Sequence, residues 1–194
     1  MTTAAVITHR VSSYDTWKAA FDGHEGARRA AGIVAHHINR GIDDPNVVSV
    51  YLAANTREQL TAFLANADLK ATMMKAGIEG APTITLLEPQ EDKTVKRDPL
   101  PGVIVSHDVA DYATWKKAFD AHGASRDQAG ILGAAVNRVV DAPQRVVIFL
   151  QAETPDALRR FASSDDLKAT MKTAGVIGAP TMAFVTGAGW ASYS

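Results

Sequence analysis

Residues 4 to 88 and residues 102 to 186 are two versions of one sequence: at a constant offset of 98 they align without a gap and are identical at 36 of 85 positions. Self-similarity of this kind means one supersecondary unit built twice, so any fold for one half has to serve the other. It also sorts the polar and aromatic side chains into matched sets. Tyr14, Trp17, Phe21, His24 and Arg28 recur as Tyr112, Trp115, Phe119, His122 and Arg126.

Each copy reads as strand, helix, strand, strand, helix, strand. Ala5 to Val11 and its twin Val103 to Val109 are rich in β-branched residues and end at helix-start signals, Ser13 and Asp111. Tyr14, Trp17, Phe21, His24, Arg28 and Ala31 then follow at spacings of three and four, one stripe of a helix that faces a sheet. Gly32 and Gly130 stop it. Asp43-Asp44-Pro45-Asn46 and Asp141-Ala142-Pro143-Gln144 join the next two strands as hairpins. The second helix opens at Thr56 with Gln59 in capping-box spacing, or at Thr154 with Pro155 behind it. It breaks and restarts near Asn66 or Ser164 and ends at Gly77 or Gly175.

A βαββαβ unit with one directly hairpinned strand pair is the ferredoxin-like arrangement, whose helices cover one face of the sheet. The third strand is apolar on both sides, Val48, Val50 and Leu52 against Val47 and Tyr51, so the open face needs a second cover. The expected fold class is therefore α+β: two tandem ferredoxin-like units whose antiparallel sheets pack face to face as an intramolecular pseudo-dimer. The expected division is unit 1 at 1–88, a charged and proline-rich linker at 89–101, unit 2 at 102–186 and a C-terminal tail at 187–194. Trp190 and Tyr193 in that tail fit either a cap on a pocket mouth or a contact with a neighbouring chain.

The chain resembles the dimeric α+β barrel superfamily, in the antibiotic biosynthesis monooxygenase and cyclase-like branch, as a tandem two-copy fusion. The resemblance rests on the segment from Tyr14 to Asp22 with its twin from Tyr112 to Asp120, on Asn39-Arg40 and Asn137-Arg138, and on the loop from Ala76 to Pro82 repeated at Ala174 to Pro180. It implies a pocket in each unit, between helices and sheet, that holds a flat or aromatic small molecule. The implied activity is cofactor-independent oxygenation, cyclisation or isomerisation of an aromatic or polyketide-like substrate by proton abstraction. The alternative is a non-catalytic small-molecule binding or stress-related protein.

The residues themselves point to the same layer. His9 and His107 share a strand face with Ile7 and Val11 or Val105 and Val109, while His24, His122, Arg28 and Arg126 lie on the inward stripe of the adjoining helix. The candidate catalytic set is His24, His122, His9 and His107. The candidate substrate-binding set is Arg28, Arg126, Tyr14, Tyr112, Trp17, Trp115, Asn39 and Asn137. Arginine fixes a carboxylate or enolate, neutral histidine accepts a proton, and tyrosine or tryptophan supplies a stacking wall. The bland readings stand beside these. The aromatic stripe also fits plain core packing, and His9 a core histidine bonded to a backbone carbonyl. Gly23, Gly26 and Gly123 also threaten to break the helix and turn His24 or His122 outward.

Composition removes other classes. Twenty basic and 21 acidic residues give a net charge of -1, so neither nucleic acid nor a membrane surface is an expected partner. The chain has no cysteine, which excludes disulfides and thiolate chemistry and fits a cytoplasmic protein. No export signal or spanning segment is legible. His36 and His37 face Ala134 and Ala135 in the second copy, and no ligand-spaced cluster joins them, so no metal is expected. Haem-degrading relatives carry a histidine on the second helix. Here Glu58 to Lys75 and Asp156 to Lys172 contain none, and no cofactor is expected. The expected state is a monomer with an internal pseudo-dimer, or a homodimer of it.

Overall fold

Two compact units emerge from the computed structural model, which describes residues 2–97 and 99–193. The first contains β1 (Thr3–Val11), α1 (Tyr14–Gly23), α2 (Glu25–Ala30), β2 (Ile33–Gly41), β3 (Val47–Ala54), α3 (Arg57–Ala65), α4 (Ala67–Lys75) and most of β4 (Ile78–Asp92). Its strands run in the antiparallel order β4-β1-β3-β2, as a ferredoxin-like unit requires. The caps read from sequence are made, since Ser13 accepts from the Thr16 amide and Thr56 from that of Gln59; at the restart near Asn66, that side chain accepts from the amides of Asp68 and Leu69.

The second unit repeats the plan with β5 (Pro101–Val109), α5 (Tyr112–Ala121), α6 (Gly123–Gln128), β6 (Ile131–Val139), β7 (Ala142–Ala152), α7 (Pro155–Ser163), α8 (Asp165–Thr173) and most of β8 (Val176–Ser192). Its order is β8-β5-β7-β6. Among the described residues, no helix is long and apolar enough to cross a membrane.

Three local features depart from the sequence reading. The first inward stripe is carried by two short helices, because His24, at φ -94° and ψ 10°, leaves the helical conformation between Gly23 and Glu25. The ladder survives the break, since His24 N still donates to Ala20 O and Arg28 N to His24 O. Both side chains therefore stay on the inward face.

The second departure is at the chain segments read as linker and tail. β4 continues to Asp92 and β8 to Ser192. Residues 187–194 group with the first unit, where Tyr193 N donates to Val34 O on β2, and residues from Pro89 group with the second, where Lys93 N donates to Ala134 O on β6. An edge strand offers unpaired backbone groups that a polar segment can meet without any apolar periodicity, so pattern alone does not reveal the extension.

Third, the pairing of β2 with β3 shifts register between Ile33 and Ala35, and that of β6 with β7 between Ile131 and Gly133. The bulge puts Ile33 and Ile38 in one helix-side core with Ala5, Ile7, Val11, Val48, Val50 and Leu52. Trp17, Leu60 and Phe63 close that core from the helices, and Trp115, Leu158 and Phe161 do the same in the second unit.

Candidate functional site

Between the helices and the sheet of the first unit lies a cavity of about 370 Å³, a size that suits a small organic molecule. Ile7, Val50 and Leu52 form its floor, Trp17, Phe21 and Phe63 its aromatic walls, and Met73, Met74 and Ile84 part of its rim. Met74 is 80% exposed and Ile84 44%, so part of the lip is apolar up to solvent, and the exposed Lys70 also lines the cavity. The polar groups that reach this surface include His9, His24 and Arg28.

His9 owes its place to strand alternation, which turns it with Ile7 toward the helices. It is 7% exposed, its ring lies 5.5 Å from that of Trp17, and neither Nδ1 nor Nε2 has a hydrogen-bond partner. Leaving a buried polar group unmet costs about 1–3 kcal/mol, which a ligand on this wall would recover. Burial pushes the His9 pKa down from 6.5 to about 4, so the imidazole is neutral near pH 7, with one ring nitrogen free to accept.

His24 sits at the α1–α2 break with its ring 6.0 Å from that of Phe63 and its buried Nδ1 unpartnered. Arg28, one turn on, is 2% exposed. Its guanidinium stacks 3.7 Å above the Phe21 ring, Nη1 donates to Phe21 O, and Nε donates to Tyr193 Oη at 3.2 Å. Among the described residues no carboxylate pairs with it, so a buried positive charge on the cavity wall has only ring and dipole partners. Tyr193 Oη also lies 2.7 Å from His36 Nδ1. Burial, reinforced by the nearby Arg28 charge, brings His36 down to about 4 as well.

The equivalent space in the second unit has shrunk to about 60 Å³ although His107, Trp115, Phe119, His122 and Arg126 line it in the same way. His107 repeats the environment of His9: 6% exposed, both nitrogens unpartnered, and a pKa held at about 4 by burial. The walls differ at several positions. Ile148 replaces Val50, and Met182 replaces Ile84. In addition His122 Nε2 lies 2.6 Å from Asp166 Oδ2, which ties α8 to the α5–α6 junction, and among the described residues His24 makes no such bond to Asp68, the twin of Asp166. Arg126 donates to Phe119 O and stacks 3.8 Å over Phe119, and burial depresses its pKa, but no tyrosine reaches it.

Of the residues singled out from sequence, His9, Trp17, His24 and Arg28 are brought together in the first unit, and His107, Trp115, His122 and Arg126 in the second. Tyr14 and Tyr112 are not on either cavity surface; each lies beneath an arginine, Arg40 at 3.8 Å and Arg138 at 4.4 Å from the ring centre. Asn39 and Asn137 are also absent from the walls. The bulge in β2 and β6 turns Arg40 and Arg138 toward the helices instead, and Asn39 pairs with Ser49 on the sheet's other face. Sequence reasoning missed Phe63, Met73 and Met74 as walls, and the part played by His36 and Tyr193. The signal for the last two was present: His36 has alanine for a twin, and the tail has no twin in the repeat. Among the described residues no three metal-ligating side chains converge.

No protein-family model matches the chain, and no curated protein matches it by sequence. Solved structures do match in fold. The chain is similar to an anthrone oxidase-like protein, with a TM-score of 0.70 and 14% identity over 98% of this chain and 93% of the other. It is similar to the putative monooxygenases of Lactobacillus acidophilus (TM-score 0.68, 9% identity, 98% and 96% covered) and Fusobacterium nucleatum (TM-score 0.68, 14% identity, 98% and 94% covered). The fold is α+β, with two tandem ferredoxin-like βαββαβ units, and these solved structures share it.

Proposed function

We propose that the first unit binds a flat, largely apolar small molecule carrying an acidic C–H next to a carbonyl, and that His9 takes its proton to start an oxygenation by dioxygen. The observation that carries this reading is the pairing of an open cavity of about 370 Å³ with a buried, neutral, unpartnered His9 on its wall. An aromatic substrate fits the walls offered by Trp17, Phe21 and Phe63. Proton loss leaves an enolate that the Arg28 charge stabilises among apolar walls, and His24 supplies a second polar contact.

The steps balance with dioxygen from solution as the oxidant. The C–H proton moves to the free nitrogen of His9, and the carbanion gives one electron to dioxygen. The two radicals then join in a C–O bond, and His9 returns the proton to the peroxide. Loss of water from that hydroperoxide leaves a ketone, so a CH₂ group and one O₂ become a C=O group and one H₂O. An anthrone, as in the name of the anthrone oxidase-like relative in fold, is a substrate of this type.

The test is oxygen uptake and quinone formation with anthrone, wild type against His9→Leu. General acid–base catalysis is worth about 100-fold or more, so the variant should lose at least that factor while keeping its fold. Unchanged turnover overturns the role of His9. A binding protein without turnover is the second reading, favoured by one observation: a histidine pKa near 4 makes a weak base. In that case anthrone binds to the first unit and is not consumed.

A further inference from the structure

His36 and Tyr193, which run on from Arg28 in the first unit, have no use in the steps above, and this run of contacts has no twin in the second unit. We propose that Tyr193, on the C-terminal segment, is a positioning residue that fixes the Arg28 guanidinium so that it presents Nη2 to an acidic oxygen of the ligand. This deepens the reading of the cavity above and rests on it: it assigns a ligand class, apolar molecules bearing one carboxylate, enolate or phenolate, and a specificity element outside the cavity wall.

The geometry supplies the reason. An arginine side chain has several rotatable bonds, and on a wall without a carboxylate partner nothing electrostatic sets its plane. Here three contacts do. The ring of Phe21 lies beneath it at 3.7 Å, Phe21 O takes Nη1, and Tyr193 Oη takes Nε at 3.2 Å. Those two donors are then spent, and among the described residues Nη2 makes no hydrogen bond.

Tyr193 is itself held at both ends. Its backbone N–H donates to Val34 O at 2.7 Å, and its hydroxyl, while accepting from Arg28, sits within hydrogen-bond reach of His36 Nδ1 at 2.7 Å. His36 in turn packs edge-on against Phe21 at 5.0 Å, closing a loop in which three side chains, Phe21, His36 and Tyr193, hold the guanidinium. The second unit is the internal control. Arg126 keeps the ring and the carbonyl of Phe119, but Ala134 stands where His36 does and no phenol meets its Nε. Arg126 is also more exposed than the nearly buried Arg28. The extra contacts therefore occur in the unit with the larger cavity, and they come from a segment outside the repeated sequence.

The experiment compares two probes of the same shape, 2-naphthoate and the neutral 2-naphthamide, binding to the full chain as wild type, Tyr193→Phe, His36→Ala and Arg28→Met. Tyr193→Phe keeps the ring and removes the hydroxyl. The expected result is that it weakens naphthoate by at least about tenfold, the scale of one hydrogen bond to a charged group, and naphthamide by less than about twofold. His36→Ala should lower the naphthoate preference in the same direction, and Arg28→Met should abolish it. A purely structural role for the tail would weaken both probes alike, and that outcome overturns the proposal, as does a Tyr193→Phe protein that still prefers naphthoate as the wild type does. If the wild type binds neither probe, the reading of the cavity falls and this one with it. If it binds both and only the Tyr193 effect is missing, the positioning role alone falls.

Discussion

His9 and His107 make stability fall with acid at a pH where most proteins hold steady. Each is buried without a hydrogen-bond partner, and each is held at about 4 against 6.5 for an ordinary histidine. The folded value is depressed, so the unfolded chain binds these protons first. Neither group penalises folding well above pH 6.5, and the loss builds as pH falls through 6.5 and is complete below about 4. At about 1.36 kcal/mol per pH unit, the full loss is roughly 3 kcal/mol per histidine, of which about 2 kcal/mol is reached by pH 5. Together the two sites remove about 4 kcal/mol between pH 7 and pH 5, a large part of the roughly 5–15 kcal/mol typical of a folded domain. His36 adds in the same direction. The carboxylates held low by their partners, Asp108 beside Arg145 and Glu91 beside Lys93 and Lys116, lose their contribution only nearer pH 4 and below, so they leave this window to the histidines. The assay is urea unfolding followed by tryptophan fluorescence at pH 7 and pH 5. His9→Leu should be no less stable than wild type at pH 7, because it removes two unmet buried nitrogens, and its drop on going to pH 5 should be about 2 kcal/mol smaller. A wild type equally stable at both values, or a variant with the wild-type drop, refutes the reasoning.

Leu60→Ala and Leu158→Ala, at two fully buried twin positions, should each cost about 2–5 kcal/mol by urea unfolding, a cost set by how far each core collapses around the deletion. Asp166→Ala together with Ile148→Val removes the tie on α8 and one methylene from the second unit's wall. The double variant should gain a second equivalent of bound 2-naphthoate by calorimetry, and a chain that still binds as the wild type does would mean that these two contacts do not keep that space closed.

How much of this was legible in the sequence depended on whether a signal was local. The capping residues Ser13 and Thr56 act within three positions of themselves, and both make the hydrogen bonds their spacing implies. The inward turn of His9, His24 and Arg28 follows from periodicity, which survived even the break at His24 because the hydrogen-bond ladder continues across it. Asn39, a candidate for the binding set, lies off the cavity wall because a single bulge after Ile33 reverses every later side chain on β2, and nothing in the composition of that strand marks a bulge. The unequal cavities were illegible for another reason. The twin walls carry similar residue types, and what distinguishes them, such as Ile148 for Val50, Met182 for Ile84 and the bond between His122 and Asp166, is nothing that pattern weighs. The pairing of Tyr193 with His36 and Arg28 spans more than 150 positions and has no periodic trace.

The most direct test of the claim that the first unit holds the working site is the binding stoichiometry of 2-naphthoate by titration calorimetry on the full chain, repeated with Val50→Trp, which fills that cavity from its floor, and with Ile148→Trp at the twin position. The expected result is one equivalent per chain, lost in Val50→Trp and kept in Ile148→Trp. Two equivalents in the wild type, or one that survives Val50→Trp and disappears in Ile148→Trp, would contradict it.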